Sequence, residues 1–432
     1  MKEINNSLRM LKLLIFVLNT AVYFAFVCFL EDGLPSIPSV AFQYLFFYAA
    51  LVLSLYAFRG YDYIFGMEPE EIVASSAIGV LLAAILTIAF VMLFQRHMPR
   101  VNFVLIVLFF LAWSPLSRVL IFKIFKSKFP VRKVVVLGKR EQWEPLMVEI
   151  SKKTSNKVEV VGWVDALKQS AGDFNGCTLV VADPSFAKDE EIQDFLKVFQ
   201  LRGGETVYLP VIVEEILKRI PLEVAETFKN YYELAFEMVR VDPWQRALDI
   251  AFCLITLPIT APLGLLIAFF IMLDSGFPVI FRQPRVGLNG DIFTMHKFRS
   301  MVNSPKKGAG FADDHACYIT RVGKVLRKFR IDEILQFWDV FRGKMSVIGP
   351  RPEQPEFEAN FVENIPFYKY RRKLRPGITG WAQINFSYAS DLEETEKKLE
   401  YDLYYVKNRN ILLDLQIALR TAEVMFLMRG AR

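Results

Sequence analysis

Two adjacent carboxylates, Asp332 and Glu333, open a predicted apolar helix in the last third of the chain, just after several basic residues. A carboxylate in the first turn of a helix lies near the positive end of the backbone dipole, which favours its ionised, nucleophilic form. Free N–H groups and guanidinium groups at the same place would also suit a phosphate. Acidic residues at a helix start often act only as caps, so the pair alone does not decide between catalysis and capping.

Three basic residues could complete a phosphate site with this pair. Arg351 lies between two prolines in a tight loop downstream of the helix. Lys297 and Arg299 alternate with the apolar Phe298, and alternate residues of a strand share one face. The alternation therefore predicts that Lys297 and Arg299 form a cationic wall of the site. The simpler alternatives are a solvated strand face for these two residues and a surface loop position for Arg351.

The composition places the chain at a membrane. Hydrophobic residues make up 53% of its 432 residues, and the mean hydropathy is +0.29. This is too apolar for a purely soluble protein, and the length predicts two or three domains. The net charge of +6 lies near apolar segments, which indicates anionic lipid or phosphate as a partner and no nucleic acid. The cysteines lack CxxC spacing, so neither a zinc site nor a disulfide framework is indicated.

The first third of the chain, residues 1–125, predicts a four-helix transmembrane anchor. Each of its apolar segments is about 20 residues long, enough to span a bilayer. These segments lie at 9–30, 38–58, 73–94 and 101–122. Basic residues before the first segment and after the fourth place both ends of the bundle on the cytoplasmic side. Few ionisable groups lie within the segments, which argues against a transport path.

Residues 126–240 predict a small Rossmann-like cytoplasmic α/β module. Short apolar runs that read as buried parallel strands alternate with helical stretches near 141–153 and 188–202. The strands are predicted at 134–137, 158–161, 178–181 and 206–209. The first strand ends at Gly138, the single glycine where a dinucleotide site would need several. A structural or regulatory module is therefore favoured over a cofactor-binding one.

A further apolar segment at 247–273 contains Pro258 and Pro262. One interpretation is a fifth spanning helix. However, interior prolines break helices, and the basic residues at both flanks favour the same, cytoplasmic side. We therefore predict a re-entrant helix that enters one leaflet, bends at Pro262 and returns, seating the following domain on the bilayer.

Six motifs follow in the last 190 residues. They are Phe281-Arg282-Gln283-Pro284-Arg285-Val286-Gly287, Lys297-Phe298-Arg299-Ser300-Met301, Asp332-Glu333, Gly349-Pro350-Arg351-Pro352, Leu374-Arg375-Pro376-Gly377-Ile378-Thr379-Gly380-Trp381-Ala382-Gln383 and Tyr401-Asp402-Leu403-Tyr404-Tyr405-Val406. In this order and spacing the chain resembles the bacterial polyprenyl-phosphate hexose-1-phosphate transferases, the monotopic phosphoglycosyl transferases. The resemblance implies a mixed α/β catalytic domain over 241–432. Its anchor and α/β unit are similar to those of the larger members, which start exopolysaccharide, capsule or O-antigen assembly.

The resemblance implies that a UDP-hexose and undecaprenyl phosphate react, with Mg2+, to give undecaprenyl-diphosphate-hexose and UMP. In this reaction Asp332 is the implied nucleophile, forming a covalent phosphosugar intermediate, and Glu333 its partner and metal ligand. The enzyme would act at the cytoplasmic face of the bacterial inner membrane, in contact with the lipid bilayer.

The family motifs also imply roles for residues further along the chain. Arg375, Gly377 and Gln383 resemble the nucleotide end of the site, although turn chemistry explains them almost as well. Asp402 could bind the metal or pair with an arginine. Relatives often have Gly-Arg where this chain has Phe386-Ser387, which leaves its sugar preference in doubt.

Two alternatives to this function remain open. An enzyme could transfer the hexose alone and release UDP, or the chain could be a non-catalytic polysaccharide assembly or regulatory protein. The sequence does not identify the hexose or the polysaccharide pathway, and it leaves open whether the protein forms a homodimer.

Overall fold

A computed structural model of the protein describes residues 2–31, 38–57, 69–95, 99–125, 131–154, 156–164, 176–187, 190–302, 319–386 and 392–426. The chain divides into two compact units, Met1–Leu217 and Lys218–Arg432. Ser387, which was named above beside Phe386, lies outside the described residues.

The first unit begins with four long helices, as predicted. They are α1 (Lys2–Leu30), α2 (Pro38–Ala57), α3 (Pro69–Leu93) and α4 (Arg100–Phe125). Segments of α1, α3 and α4 are long and apolar enough to cross a membrane, and α2 carries a shorter apolar stretch. Buried aromatic residues join the helices, among them Tyr23, Phe47 and Phe110. Arg118 of α4 is also buried and donates hydrogen bonds to the hydroxyl groups of Ser75 and Ser76 in α3.

A four-stranded parallel sheet completes the first unit. Its strands are β1 (Arg132–Leu137), β2 (Val158–Val164), β3 (Thr178–Val181) and β4 (Glu205–Tyr208), in the order β2-β1-β3-β4. The helices are α5 (Arg140–Lys153), α6 (Glu190–Leu201) and α7 (Leu209–Leu217). Apolar strand residues such as Leu137 and Leu179 pack against Leu196 and Phe199 of α6. All four predicted strands and both predicted helices are therefore confirmed.

The second unit is built mainly of helices around two small sheets. Its helices are α8 (Leu222–Thr227), α9 (Lys229–Glu237), α10 (Pro243–Ser275), α11 (Arg321–Lys328), α12 (Gln336–Phe341), α13 (Pro355–Asn364), α14 (Trp381–Asn385), α15 (Leu392–Asn408) and α16 (Ile411–Phe426). Its strands are β5 (Ile280–Val286) paired antiparallel with β6 (Ile292–Phe298), and β7 (Ser346–Ile348) paired parallel with β8 (Gly377–Thr379).

The boundary of the second unit lies earlier than the sequence boundary at 240. Arg219 forms a buried ion pair with Glu400 of α15, and the Trp381 indole donates to the carbonyl oxygen of Lys218 at 2.9 Å. The ring of Phe236 in α9 stacks on that of Tyr370, with centroids 5.0 Å apart. These partners are more than 130 residues apart in the chain, so local sequence patterns could not reveal that α8 and α9 belong with the second unit.

The apolar helix α10 runs without interruption through Pro258 and Pro262. Near its start Asp249 is buried and accepts hydrogen bonds from the Ser346 hydroxyl and the Val347 N–H, both at 2.9 Å. Near its end Ile271 packs into a cluster with Phe298. Both ends of α10 therefore contact the same unit, whereas most of its middle turns expose apolar side chains. By length and composition α10 could also span a membrane, so the re-entrant path stays a prediction.

Candidate functional site

Three motifs that are distant in sequence converge on one carboxylate oxygen. Glu333 Oε1 accepts hydrogen bonds from Lys297 Nζ at 3.0 Å and from Arg351 Nη2 at 2.8 Å. Lys297 lies near the end of β6, Arg351 follows β7, and Glu333 lies between α11 and α12. We call Lys297, Glu333 and Arg351 the Glu333 cluster. Its convergence is what the sequence motifs predicted for this part of the site.

Charge and burial oppose each other in this cluster. Burial raises the pKa of the Glu333 carboxyl, but Arg351 and Lys297 outweigh that effect and hold the pKa well below its ordinary value. Burial lowers the pKa of Lys297, and the like charge of Arg351 adds to this, while Glu333 works against both. The cluster is thus a mostly buried group of two cations and one carboxylate, with cationic groups in excess.

Asp332 lies beside the cluster in a short turn, Ile331–Glu333, and not directly in the first turn of an α-helix. Arg330 adopts the left-handed conformation, with φ 52°, just before this turn, and α12 begins only at Gln336. Burial and the neighbouring Glu333 raise the pKa of Asp332, while Lys297 and Arg327 limit the rise. The expected lowering by a helix dipole is therefore wrong, because desolvation and a like charge dominate at this position.

Arg285 is a cation of this site that the sequence analysis did not single out. In the β5–β6 register Arg285 pairs with Phe293 and Phe281 pairs with Lys297, so Arg285 and Lys297 share one face of the hairpin. Arg285 Nη1 donates to the Pro352 carbonyl oxygen at 3.0 Å, and burial lowers the pKa of Arg285 to about 10. Together with Arg351 these cations line a small cavity of about 10 Å³. The sequence contains both basic residues on neighbouring predicted strands. However, placing them on one face requires the pairing register of the two strands, which the sequence does not give.

Arg299 does not join Lys297. Strand β6 ends at Phe298, and Arg299 Nη2 donates to the carbonyl oxygens of Ser275 and Gly276 at the end of α10, both at 2.6 Å. The prediction of a shared face assumed that the strand continued for one more residue. Arg299 instead satisfies carbonyl groups at a helix C-terminus, where a cation is favourable.

The Arg351 loop is supported from behind by Arg371, a second residue that sequence reasoning missed. Arg371 Nη2 donates to the Arg351 carbonyl oxygen, and its Nε donates to Asp402 Oδ2, each at 2.9 Å. Asp402 is only 1% exposed, and burial raises its pKa against the attraction of Arg371. Of the two roles left open for Asp402, the arginine partner is the one observed. Within the described ranges no group of three or more His, Cys, Asp or Glu side chains could hold a metal ion.

Arg375, Gly377 and Gln383 each donate to a backbone carbonyl group, and Gly377 does so at the Arg351 loop itself. The Gly377 N–H donates to the Pro350 carbonyl oxygen at 2.9 Å, and a Cβ at Gly377 would lie 2.1 Å from the Gly349 nitrogen. Arg375 Nε donates to the Gly343 carbonyl oxygen at 3.1 Å, and Gln383 Nε2 to that of Ile378 at 3.0 Å. The close approach expected of Gly377 is thus an approach to protein backbone. Within the described residues, Arg375 Nη1 and Gln383 Oε1 are buried without a hydrogen-bond partner.

A third interaction missed from the sequence fixes α12 to β6. Asp339 Oδ2 accepts a hydrogen bond from the His296 N–H at 2.9 Å, and Asp339 Oδ1 lies 2.7 Å from His296 Nδ1. Because Asp339 is buried, this contact holds the helix after the Asp332 turn against the strand that carries Lys297.

Comparisons with known proteins cover this unit. A family model described as "Bacterial sugar transferase" matches residues 241–428. The UDP-N-acetylgalactosamine-undecaprenyl-phosphate N-acetylgalactosaminephosphotransferase of Aeromonas hydrophila is 48% identical over 44% of this chain and 45% of its own length. The UDP-glucose:undecaprenyl-phosphate glucose-1-phosphate transferase of Caulobacter vibrioides is 37% identical over 42% of this chain and 70% of its own length.

One relative extends into the first unit. The undecaprenyl-phosphate glucose phosphotransferase of Komagataeibacter xylinus is 29% identical over 69% of this chain and 60% of its own length. The chain thus spans about half the length of several curated relatives, between 41% and 60% of the first three.

The pairing of Asp402 with Arg371 predicts a structural role that is independent of metal. Asp402→Ala should lower the apparent melting temperature of the purified full chain, because breaking a buried ion pair costs roughly 3–5 kcal/mol. The loss of stability should lie at the lower end of that range, because Glu358, 3.8 Å from Arg371, still offers the arginine a negative partner. The measurement is thermal unfolding in detergent micelles, with Asp291→Asn in an exposed turn as the matched control.

A chelator separates the two roles of Asp402. We expect EDTA to leave the wild-type melting temperature unchanged. A melting temperature that falls with EDTA in the wild type, but not in Asp402→Ala, would contradict the arginine pairing and support a metal at this carboxylate.

Proposed function

The chain belongs to the bacterial sugar transferase family, and we propose that it transfers hexose 1-phosphate from a UDP-hexose to undecaprenyl phosphate, with release of UMP. The names of the curated relatives support this donor and acceptor chemistry. The product would be the first lipid-linked sugar of an exopolysaccharide, capsule or O-antigen pathway.

The observation that carries the proposal is Asp332 beside the two partly buried cations of the Glu333 cluster. Two substrates that both bear phosphate repel each other, and a covalent intermediate lets them react in turn. Asp332 is partly buried, and a carboxylate with a raised pKa is more basic when ionised, which suits attack on phosphorus. Lys297 and Arg327 supply the positive charge that keeps the ionised form accessible.

The proposed reaction has two displacements. An Asp332 carboxylate oxygen forms a bond to the β-phosphorus of the UDP-hexose while the bond from that phosphorus to the bridging oxygen breaks, and UMP leaves with the electron pair. A phosphate oxygen of the lipid then attacks the same phosphorus. The aspartyl oxygen–phosphorus bond breaks, which restores the carboxylate and forms the lipid diphosphate.

Arg285, Lys297 and Arg351 would neutralise the diphosphate oxygens of the donor. The cavity that they line is about 10 Å³, enough for about one water molecule. The donor phosphates therefore have to displace Glu333 from at least one of its two cations. Since the pKa of Glu333 is held low, its carboxylate stays ionised and keeps the cations in place until the phosphate arrives.

We also propose that Mg2+ assists, with Glu333 as its protein ligand. Mg2+ is usually held by one or two carboxylates together with substrate phosphates, so the lack of a three-residue cluster among the described residues does not conflict with this role. Asp402 does not fit the ligand set, because it is only 1% exposed and lies against Arg371 in the interior, where an ion bound to substrate phosphates has no access. When bound, the ion would neutralise charge on the leaving UMP.

We propose that α10 seats the second unit on the cytoplasmic leaflet without crossing the bilayer. Both ends of α10 pack on the same folded unit, which supports entry and exit on one side. The basic residues that flank this segment, among them Arg246 and Arg282, support the cytoplasmic side. This placement would give Asp332 access to a soluble donor and to a membrane-bound acceptor.

Product analysis tests the proposed reaction. Membranes containing the full chain should convert undecaprenyl phosphate and one of several UDP-sugars to a lipid diphosphate with stoichiometric UMP. Asp332→Asn should reduce the rate at least 1,000-fold, since losing a nucleophile removes the covalent route. Asp291→Asn, an exposed aspartate in the β5–β6 turn, is the matched control. Release of UDP would indicate transfer of the hexose alone, and unchanged product with Asp332→Asn would indicate a non-catalytic chain.

The raised pKa of Asp332 predicts the pH dependence of the reaction. The nucleophile must be ionised, so kcat/KM should fall as the pH drops through a value above 3.8, the ordinary pKa of an aspartate. Arg327→Gln removes an attraction that lowers this pKa. The acidic limb of the kcat/KM–pH profile should therefore move to higher pH. Lys324→Gln on the same helix is the control. A limb that stays in place, or moves to lower pH, in Arg327→Gln would contradict the assignment.

A further inference from the structure

A second cavity lies in the second unit, apart from the Glu333 cluster. It has a volume of about 240 Å³ and lies between the start of α10 and the connection from α15 to α16. Its lining includes both basic and apolar residues; those used below are Arg240, Trp244, Leu248, Lys407, Arg409 and Ile411. Since about 10–15 Å³ of such volume holds one water molecule, the cavity can admit a group larger than one phosphate.

Two of the basic residues, Arg409 and Lys407, are held at the cavity by neighbouring side chains. Arg409 Nε donates to Asp414 Oδ2 at 3.3 Å, and Tyr405 donates to the other oxygen of Asp414 at 2.6 Å. Lys407 Nζ lies 4.9 Å from the ring centroid of Tyr231. Arg240 is exposed at the cavity.

The second acidic residue of the lining, Asp242, accepts a hydrogen bond from the Trp244 N–H. The lining therefore holds three cations and two carboxylates, of which Asp414 already pairs with Arg409 and Asp242 accepts from the Trp244 N–H.

The apolar residues of the lining are exposed to a large extent. Trp244 is 75% exposed and Ile411 63% exposed, with Leu248 nearly half exposed beside them. This rim continues along α10, where Ile255 is 74% exposed. Apolar surface of this extent is unusual for a face that meets water, and tryptophan is enriched where a helix enters the membrane interface.

We propose that this cavity binds the phosphate headgroup of an anionic bilayer lipid. The cations would bind the phosphate oxygens, while the rim of Trp244, Leu248 and Ile411 contacts the glycerol and the first methylene groups. A free phosphate would gain nothing from the apolar rim, which is why a lipid is favoured as the source. The proposal rests on the seating of α10 in the bilayer and not on the chemistry of Asp332.

The test measures lipid retained by the purified full chain in detergent micelles, using native mass spectrometry. Phosphatidylglycerol and phosphatidylcholine of equal chain length are the two probes. The wild type should retain phosphatidylglycerol more strongly. Arg240→Gln and Lys407→Gln should each weaken its retention about fivefold, the effect of one basic residue near an anionic surface. Lys152→Gln, an exposed lysine of α5, removes the same charge elsewhere and should have no effect.

Further measurements keep the result interpretable. Each variant should keep the wild-type melting temperature, and Arg240, being exposed, is the substitution least able to disturb folding. Retention of phosphatidylglycerol that is unchanged in both pocket variants would overturn the proposal. So would inorganic phosphate that displaces the lipid at equal concentration, or a pocket that retains undecaprenyl phosphate and not phosphatidylglycerol. Asp332→Asn should leave retention unchanged, so failure of the catalytic proposal and failure of this one are distinguishable.

Discussion

The arrangement of the second unit depends on one carboxylate oxygen of Glu333 that is shared by Lys297 and Arg351. All three charges are largely removed from water, and each would be costly to bury without the others. Their mutual compensation ties a strand, a turn and a loop that are far apart in the chain. Asp332 precedes Glu333 directly, so the same contacts fix the position of the proposed nucleophile.

A second interaction keeps this arrangement in place. Arg371 joins the backbone of Arg351 to the buried Asp402, and the backbone of Gly377 lies directly against that of Gly349. The Arg351 loop is therefore supported both by charge and by close backbone packing. This explains why several family motifs, which resemble substrate contacts in the sequence, also serve to hold the loop.

Local patterns predicted the elements well, and non-local contacts account for what they missed. The four strands of the parallel sheet and the long helices follow from composition and periodicity. The motifs also indicated that Lys297 and Glu333 belong to one site, and the two side chains are in contact. Arg285 required the hairpin register, and Arg299 depended on whether β6 ended at Phe298. The partner of Asp402 lies 31 residues away, and the pKa of Asp332 depends on its burial. None of these can be obtained from spacing alone.

The most direct test of the account is mass spectrometry of the full chain after incubation with a UDP-sugar that it uses and no lipid acceptor. The account predicts a mass increase of one hexose phosphate on the peptide that contains Asp332, with UMP released in equal amount. Adding undecaprenyl phosphate should then remove the adduct. Full transfer activity with no adduct on Asp332, and no UMP released until the lipid is added, would contradict it.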